Sequence, residues 1–147
     1  MAIVGGAYAL AWVLSRERIG LILTNVITAF TSDPTVVLLL LIVAFLVAGC
    51  FINPSAAIII FVPMIMPMVN SVGIDLIQFG VITSLTLMLG LLTPPVGPSM
   101  FIVCDIAEIS VYQFVREMAL FFVALVAVVL TMVFFPSVVT WLPDLLM

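Results

Sequence analysis

Charge is missing from most of this chain, and the places where it is missing decide what the chain can become. No Asp, Glu, Lys or Arg interrupts Pro34–Ile74, Leu76–Cys104 or Met118–Pro143. Each run exceeds the ~20 residues that a helix needs to cross the hydrocarbon core of a bilayer. Leu, Ile, Val and Phe fill the runs without the alternating polarity of a barrel strand, so helices carry the spans. At 67% hydrophobic, 7% charged and a mean hydropathy of +1.57, a chain of 147 residues has more apolar surface than a water-soluble domain of that size could bury. The expected class is all-α and integral to the membrane.

The same composition excludes several functions. Seven acids against Arg16, Arg18 and Arg116 give a net charge of −4 and no basic patch, so nucleic acid is not an expected partner, whereas membrane lipid is. Cys50 and Cys104 both lie in apolar runs, where a thiol behaves as a small hydrophobe, and with no histidine neither a disulfide framework nor a metal site follows. An intramembrane enzyme is also disfavoured, because there is no histidine, no Gly-x-Ser-x-Gly elbow and no intramembrane pair of carboxylates.

Along the chain, residues 2–15 read as the tail of a truncated transmembrane helix, apolar from Ala2 to Leu14 and followed by its arginines instead of preceded by them as in a signal peptide. In residues 16–32, Thr24, Asn25, Thr28 and Thr31 recur at helical spacing opposite Ile19, Ile22, Leu23, Val26, Ile27 and Phe30. This predicts an interfacial amphipathic helix, with a short buried helix as the alternative. Asp33-Pro34 and Asn53-Pro54 each place a capping side chain before a proline at the first helical position. Residues 34–70 therefore form two helices, about 28 and 24 Å long by the helical rise, meeting at a tip near 50–56 and bent further by Pro63 and Pro67. Both lengths are marginal against a ~30 Å core. The uncharged tip, Ala48–Ala57, favours a re-entrant helical hairpin whose turn is enclosed by protein over a pair of short spans joined at the far face.

Asp75, with Gln78 in capping-box position, starts the next helix, over 76–107. The sequence Gly90-Leu-Leu-Thr-Pro-Pro-Val-Gly-Pro-Ser99 then breaks it at 93–98, because proline lacks a backbone donor and clashes with the preceding turn. The carbonyls of Gly90–Leu92 on one side and the amides after Gly97 on the other lose their helical partners near mid-membrane. Unsatisfied backbone costs several kcal/mol per group there, so the break predicts a ligand. Carbonyls and the hydroxyls of Thr93 and Ser99 are hard oxygen donors for a small cation, and helix N-termini suit an anion. A proline kink satisfied by neighbouring helices is the alternative. A capping box from Ser110 to Gln113 and a plain transmembrane helix over 118–136, ended by Pro136 and followed by an interfacial Trp141, complete the chain.

Several motifs, in order, resemble the large membrane subunit of TRAP (tripartite ATP-independent periplasmic) transporters: Gly49-x-Phe51-Ile52-Asn53, Pro63-x-x-x-Pro67, Gly73-Ile74-Asp75, Phe79-Gly80-Val81, Gly90-Leu-Leu-Thr93-Pro94-Pro95-Val96-Gly97, Phe135-Pro136 and Trp141-Leu142-Pro143. The resemblance covers nearly the whole chain and maps to the C-terminal part of such a subunit. It implies sodium-coupled, elevator-type uptake of organic acid anions, of the C4-dicarboxylate or sialic-acid kind, in a bacterial or archaeal inner membrane, with sodium as coupling ion and no other cofactor. It implies three partners: a small membrane subunit, a periplasmic substrate-binding protein and the missing N-terminal half of the large subunit. The architecture on this reading is a partial transporter bundle with an interfacial helix, a re-entrant hairpin and a discontinuous transmembrane helix.

By position, the resemblance puts Gly49, Asn53 and Ser55 of the hairpin tip, and Gly90, Thr93, Pro94, Gly97 and Ser99 of the broken helix, at a sodium and substrate site. Sodium would meet Thr93, Asn53 and the carbonyls of Gly90 and Leu92. Two positions depart from the family pattern: Asn53 stands where aspartate is usual, and Pro98-Ser99 where an aliphatic residue and asparagine are common. No Arg, Lys or His lies near either break, so an anion would be held here by helix ends and hydroxyls alone. A non-transporting membrane scaffold, or an inactive truncated fragment, is the alternative function.

Overall fold

The computed structural model describes residues 2–17, 25, 31, 33–94 and 96–146. The expected amphipathic helix over 16–32 falls almost wholly outside the described residues. The elements are α1 (Ala2–Arg16), α2 (Pro34–Phe51), α3 (Pro54–Val72), α4 (Leu76–Gly90), α5 (Pro98–Ala107), α6 (Val111–Phe134) and α7 (Ser137–Leu146), with no strand among the described residues. Three of them, α2, α3 and α6, are long and apolar enough to cross a membrane.

Each boundary has a local cause. Asp33 Oδ1 accepts from Thr35 N at 2.9 Å, and Asn53 Oδ1 accepts from Ser55 N at 3.0 Å, with Pro34 and Pro54 at the first helical positions where no donor is needed. The helix α3 runs on through Pro63 and Pro67, past the expected end, until Gly73 takes a left-handed conformation (φ 78°) and its N–H closes onto the last carbonyls. Asp75 Oδ1 accepts from both Ile77 N and Gln78 N, so the aspartate caps α4 as its position predicts. The reciprocal half of that box is absent: the Gln78 side chain is buried and reaches α6 instead. At Ser110 and Gln113 both halves of a capping box are present.

Toward the C-terminal end two more boundaries differ from the sequence reading. The helix expected over 118–136 starts at Val111 and ends at Phe134, because it begins at its cap and carries Arg116 and Glu117 within its first turns. Beyond Pro136 the chain does not stop being helical: α7 forms from Ser137 and packs back against α4.

The core is organised around α4, which packs against α2, α3, α6 and α7. Phe45 of α2 sits between Phe61 of α3 and Phe79 of α4, each pair of rings 6.3 Å apart and tilted, within a cluster that includes Val37, Leu41, Met68, Ile82 and Leu87. The first helix joins the rest through Ala7 against Ala56 and Ile60 of α3. At the other end α5 rests on α6, where Met100 and Cys104 bury against Phe114. Since Ser110 supplies the cap that starts α6, Ser110→Ala is expected to lower stability by about 1 kcal/mol, seen as a fall of a few degrees in the thermal midpoint in detergent, with uncapped exchange of the Gln113 amide.

Candidate functional site

The tip between α2 and α3 and the break after α4 are brought together by two glycines. A Cβ added to Gly90 would lie 2.6 Å from both the carbonyl carbon and the Cα of Gly49 and 2.9 Å from the Leu46 oxygen. A Cβ on Gly49 would lie 2.6 Å from the Leu87 oxygen. The last turns of α2 and α4 therefore touch backbone to backbone, the close approach that small residues allow between helices in lipid. The two helix ends sit at one level.

Past Gly90 the chain leaves helical geometry, and α5 begins at Pro98, so the break covers 91–97 and opens two residues earlier than the prolines alone indicate. The reason is the reach of Pro94: its ring excludes the helical carbonyl four residues back, that of Gly90. The backbone closes in tighter steps. Leu91 N donates to Met88 O at 3.2 Å, Leu92 N to Leu89 O at 3.0 Å and Thr93 N to Gly90 O at 3.1 Å. Thr93 Oγ1 also donates to Leu89 O, at 2.8 Å. The Gly90 carbonyl thus keeps a partner. The carbonyl with no local donor is that of Leu91, because the residues three and four ahead of it are Pro94 and Pro95.

At the far side of the break the ideal Cβ position of Gly97 lies 2.9 Å from Leu91 O and 2.8 Å from Thr93 O, so two carbonyl oxygens turn toward one point. Gly97 precedes Pro98, and no side chain caps α5, leaving the positive end of its dipole open beside those oxygens. Pro94 is exposed, Thr93 and Ser99 are half-buried, and Gly97 is buried. A cavity of about 280 Å³ follows the break, walled by Leu92, Thr93 and Pro94 on one side and by Phe114, Met118 and Phe122 of α6 on the other. On the hairpin side, Asn53 and Ser55 are exposed and Gly49 is buried, with the Asn53 amide oxygen engaged by Ser55 N. The structure joins Gly49 to Gly90 directly, sets Asn53, Thr93, Pro94 and Gly97 in the two connections that leave this contact, and places Ser55 and Ser99 in the first turns of α3 and α5.

The donor set matches a hard cation in kind, since backbone carbonyls and hydroxyls are the only oxygens the break offers. Among the described residues no group of three or more His, Cys, Asp or Glu gathers to hold a metal. Sequence reasoning passed over Thr83 and Thr86 of α4. They are 1% and 0% exposed, and both hydroxyls lack a hydrogen-bond partner among the described residues. Their signal was present: Thr83, Thr86 and Gly90 recur every three or four residues along a largely apolar helix, and so share a face.

Two outcomes follow from this packing. Gly90→Ala is expected to destabilise the protein by about 1–3 kcal/mol or more, because backbone atoms must move apart, whereas Gly80→Ala on the same helix meets nothing within 4 Å and is expected to be neutral or mildly stabilising. Thermal unfolding of the two variants side by side in detergent measures the contrast. Thr86→Val keeps the shape and removes an unpartnered hydroxyl, so it is expected to hold or raise stability by about 1 kcal/mol in the same measurement.

Comparison with known proteins gives the family. The family model for the tripartite ATP-independent periplasmic transporter, DctM component, matches residues 1–138. The C4-dicarboxylate TRAP transporter large permease protein DctM of Vibrio cholerae is 34% identical over 148 residues, covering 100% of this chain and 32% of that protein. The sialic acid TRAP transporter large permease protein SiaM of the same species is 32% identical over 140 residues, covering 95% of this chain and 33% of that protein. The uncharacterized protein YgiK of Salmonella typhimurium is 32% identical over 145 residues, 99% of this chain and 33% of its own length. The chain thus spans about a third of the length of these relatives, and those with a named activity are transporter permeases, not enzymes. This chain belongs to the DctM component family of tripartite ATP-independent periplasmic transporters.

Proposed function

We propose that this chain supplies one half of the transport site of a TRAP large permease, and that the site takes up organic acid anions coupled to sodium by an elevator movement. The observation that carries the reading is the Gly49–Gly90 contact, which holds a helix-tip loop and a proline break at one level of the molecule. In a transport site of this kind, α2 and α3 act as a re-entrant hairpin and α4 and α5 as the two arms of one discontinuous span.

The division of labour follows from the chemistry of the loops. Sodium is assigned to oxygen donors of the break, the Leu91 and Thr93 carbonyls that turn toward Gly97 together with the Thr93 hydroxyl, whose lone pairs stay open while its proton goes to Leu89 O. The Leu92 carbonyl and the amide oxygen of Asn53 are further donors within the same two loops. The carboxylate of the substrate is assigned to the uncapped start of α5 and to Ser99, since this chain offers no cationic side chain there. An amide at position 53 brings an oxygen without a charge, so sodium gains less attraction from the tip than an aspartate would give.

Transporters of this design use two inverted repeats, and one alone leaves the site open on a side. The full activity therefore belongs to this chain together with the rest of a large permease, a small membrane subunit and a periplasmic substrate-binding protein, in a bacterial or archaeal inner membrane. Support for the substrate class comes from the relatives, two of which carry the names of C4-dicarboxylate and sialic acid transporters. The test is the double substitution Pro94→Ala with Pro95→Ala in the complete transporter reconstituted in vesicles. Restoring two backbone donors lets the helix close over the break, so sodium-driven uptake is expected to fall to background while membrane insertion is retained. Unchanged uptake with unchanged sodium dependence would remove the break from the transport site.

A further inference from the structure

The side chain of Gln78 is 4% exposed at the start of α4, and its Nε2 donates to Met132 O at 2.9 Å, with Val133 O at 3.5 Å. The acceptor it chooses is one that the backbone cannot serve. In a continuous helix Met132 O would receive the N–H of residue 136, but residue 136 is proline. The next local donor, Phe135 N, is already committed to Thr131 O at 2.8 Å. Val133 O loses its tighter i+3 donor to the same proline. The corner between α6 and α7 therefore leaves the Met132 carbonyl without a local donor.

We propose that Gln78 acts as a substitute backbone donor, supplying from α4 the N–H that Pro136 lacks and thereby latching the α6–α7 corner to the start of α4. Three facts converge on it. The amide is buried in a helix otherwise rich in Leu and Ile, where a glutamine is costly unless bonded. It gives up the reciprocal half of a capping box that its position after Asp75 would allow, while Asp75 still caps the helix alone. And α7, which leaves the corner, turns back and packs on α4 instead of running away from the bundle. The latch makes α4, the last turn of α6 and the first of α7 one rigid unit, with the proline fixing the corner and the glutamine fixing where the corner sits. This holds independently of what the break at 91–97 binds.

A double-mutant cycle on the full chain in detergent micelles tests it. Gln78→Met keeps the length and apolar stem but cannot donate, and is expected to lower the apparent thermal midpoint by roughly 3–8 °C. Pro136→Ala restores an N–H to residue 136, so in that background Gln78→Met is expected to shift the midpoint by less than about 2 °C. Deuterium exchange at residues 135–140 should rise in Gln78→Met and return toward the level of the single Pro136→Ala protein in the double variant. An equal fall in midpoint in both backgrounds would overturn the proposal, because Gln78 would then matter for its packing and not for its donor. Should Gln78→Met alone fail to fold, recovery of a folded protein by adding Pro136→Ala supports the latch, and failure of the double variant as well refutes it.

Discussion

Every backbone N–H and C=O of a chain in lipid must find a partner inside the protein, and nine prolines in 147 residues make this the constraint on which the structure depends. Each proline removes one donor, and the fold deals with the losses in different ways according to position. At Pro34 and Pro54 the missing donor falls where a helix has none to use, and Asp33 and Asn53 serve the neighbouring amides. At Pro94 the chain shifts to tighter three-residue steps, so that Thr93 N takes over the Gly90 carbonyl. At Pro136 the donor to Met132 O arrives from another helix altogether. Leu91 is the contrasting case: with Pro94 and Pro95 both ahead of it, no local step can reach its carbonyl. Satisfaction is local at the helix starts and at Gly90, comes from another helix at Pro136, and fails locally at Leu91, where two prolines stand together.

How much of this was legible in the sequence depends on the range of the interaction. Caps and prolines act within four residues, so Asp33-Pro34, Asn53-Pro54, Asp75 and the Ser110–Gln113 box located the starts of α2, α3, α4 and α6. The start of α6 was nonetheless placed too late when charge, and not the cap, was taken as the boundary, because Arg116 and Glu117 sit on an exposed helical turn that a membrane-centred reading discards. The reach of Pro94 back to Gly90 was legible in principle, being fixed by the helical repeat. What no local rule contains is the partner across space. Gln78 satisfies a capping-box pattern, yet its amide belongs to Met132, far along the chain. Gly49 and Gly90 each read as a small residue in an apolar run, and only the packed structure makes them one contact.

The candidate site shows the same division. The chemistry of its loops, carbonyls and hydroxyls with no cationic side chain, is a property of composition and was open to reading. Its geometry is not: the Leu91 and Thr93 carbonyl oxygens meet beside Gly97, immediately before the helix resumes at Pro98. Thr83 and Thr86 stand between these extremes. Their spacing marks a polar face, but it is the burial of that face, with both hydroxyls unpartnered, that separates them from ordinary helix threonines that donate to a carbonyl four residues back, as Thr131 does to Ala127.

The glycine contact limits how the parts can move. With Gly49 and Gly90 in backbone contact, a displacement of α2 along α4 by one helical turn would bring Phe45 or Asn53 to the level that Gly49 now holds, and neither leaves room for the Gly90 backbone. Sliding between the two helices is therefore forbidden by sterics alone, without any strong attraction. Phe45, held between Phe61 and Phe79, ties α3 to the same block. Any motion that carries the break must consequently carry α2, α3 and the body of α4 together. The more lightly held side is that of α5, which is anchored to α6 by the short cluster of Met100, Cys104 and Phe114. A site built at the junction of one rigid block and one lightly held arm changes its shape where the two meet, beside the Leu91 carbonyl that no local donor reaches.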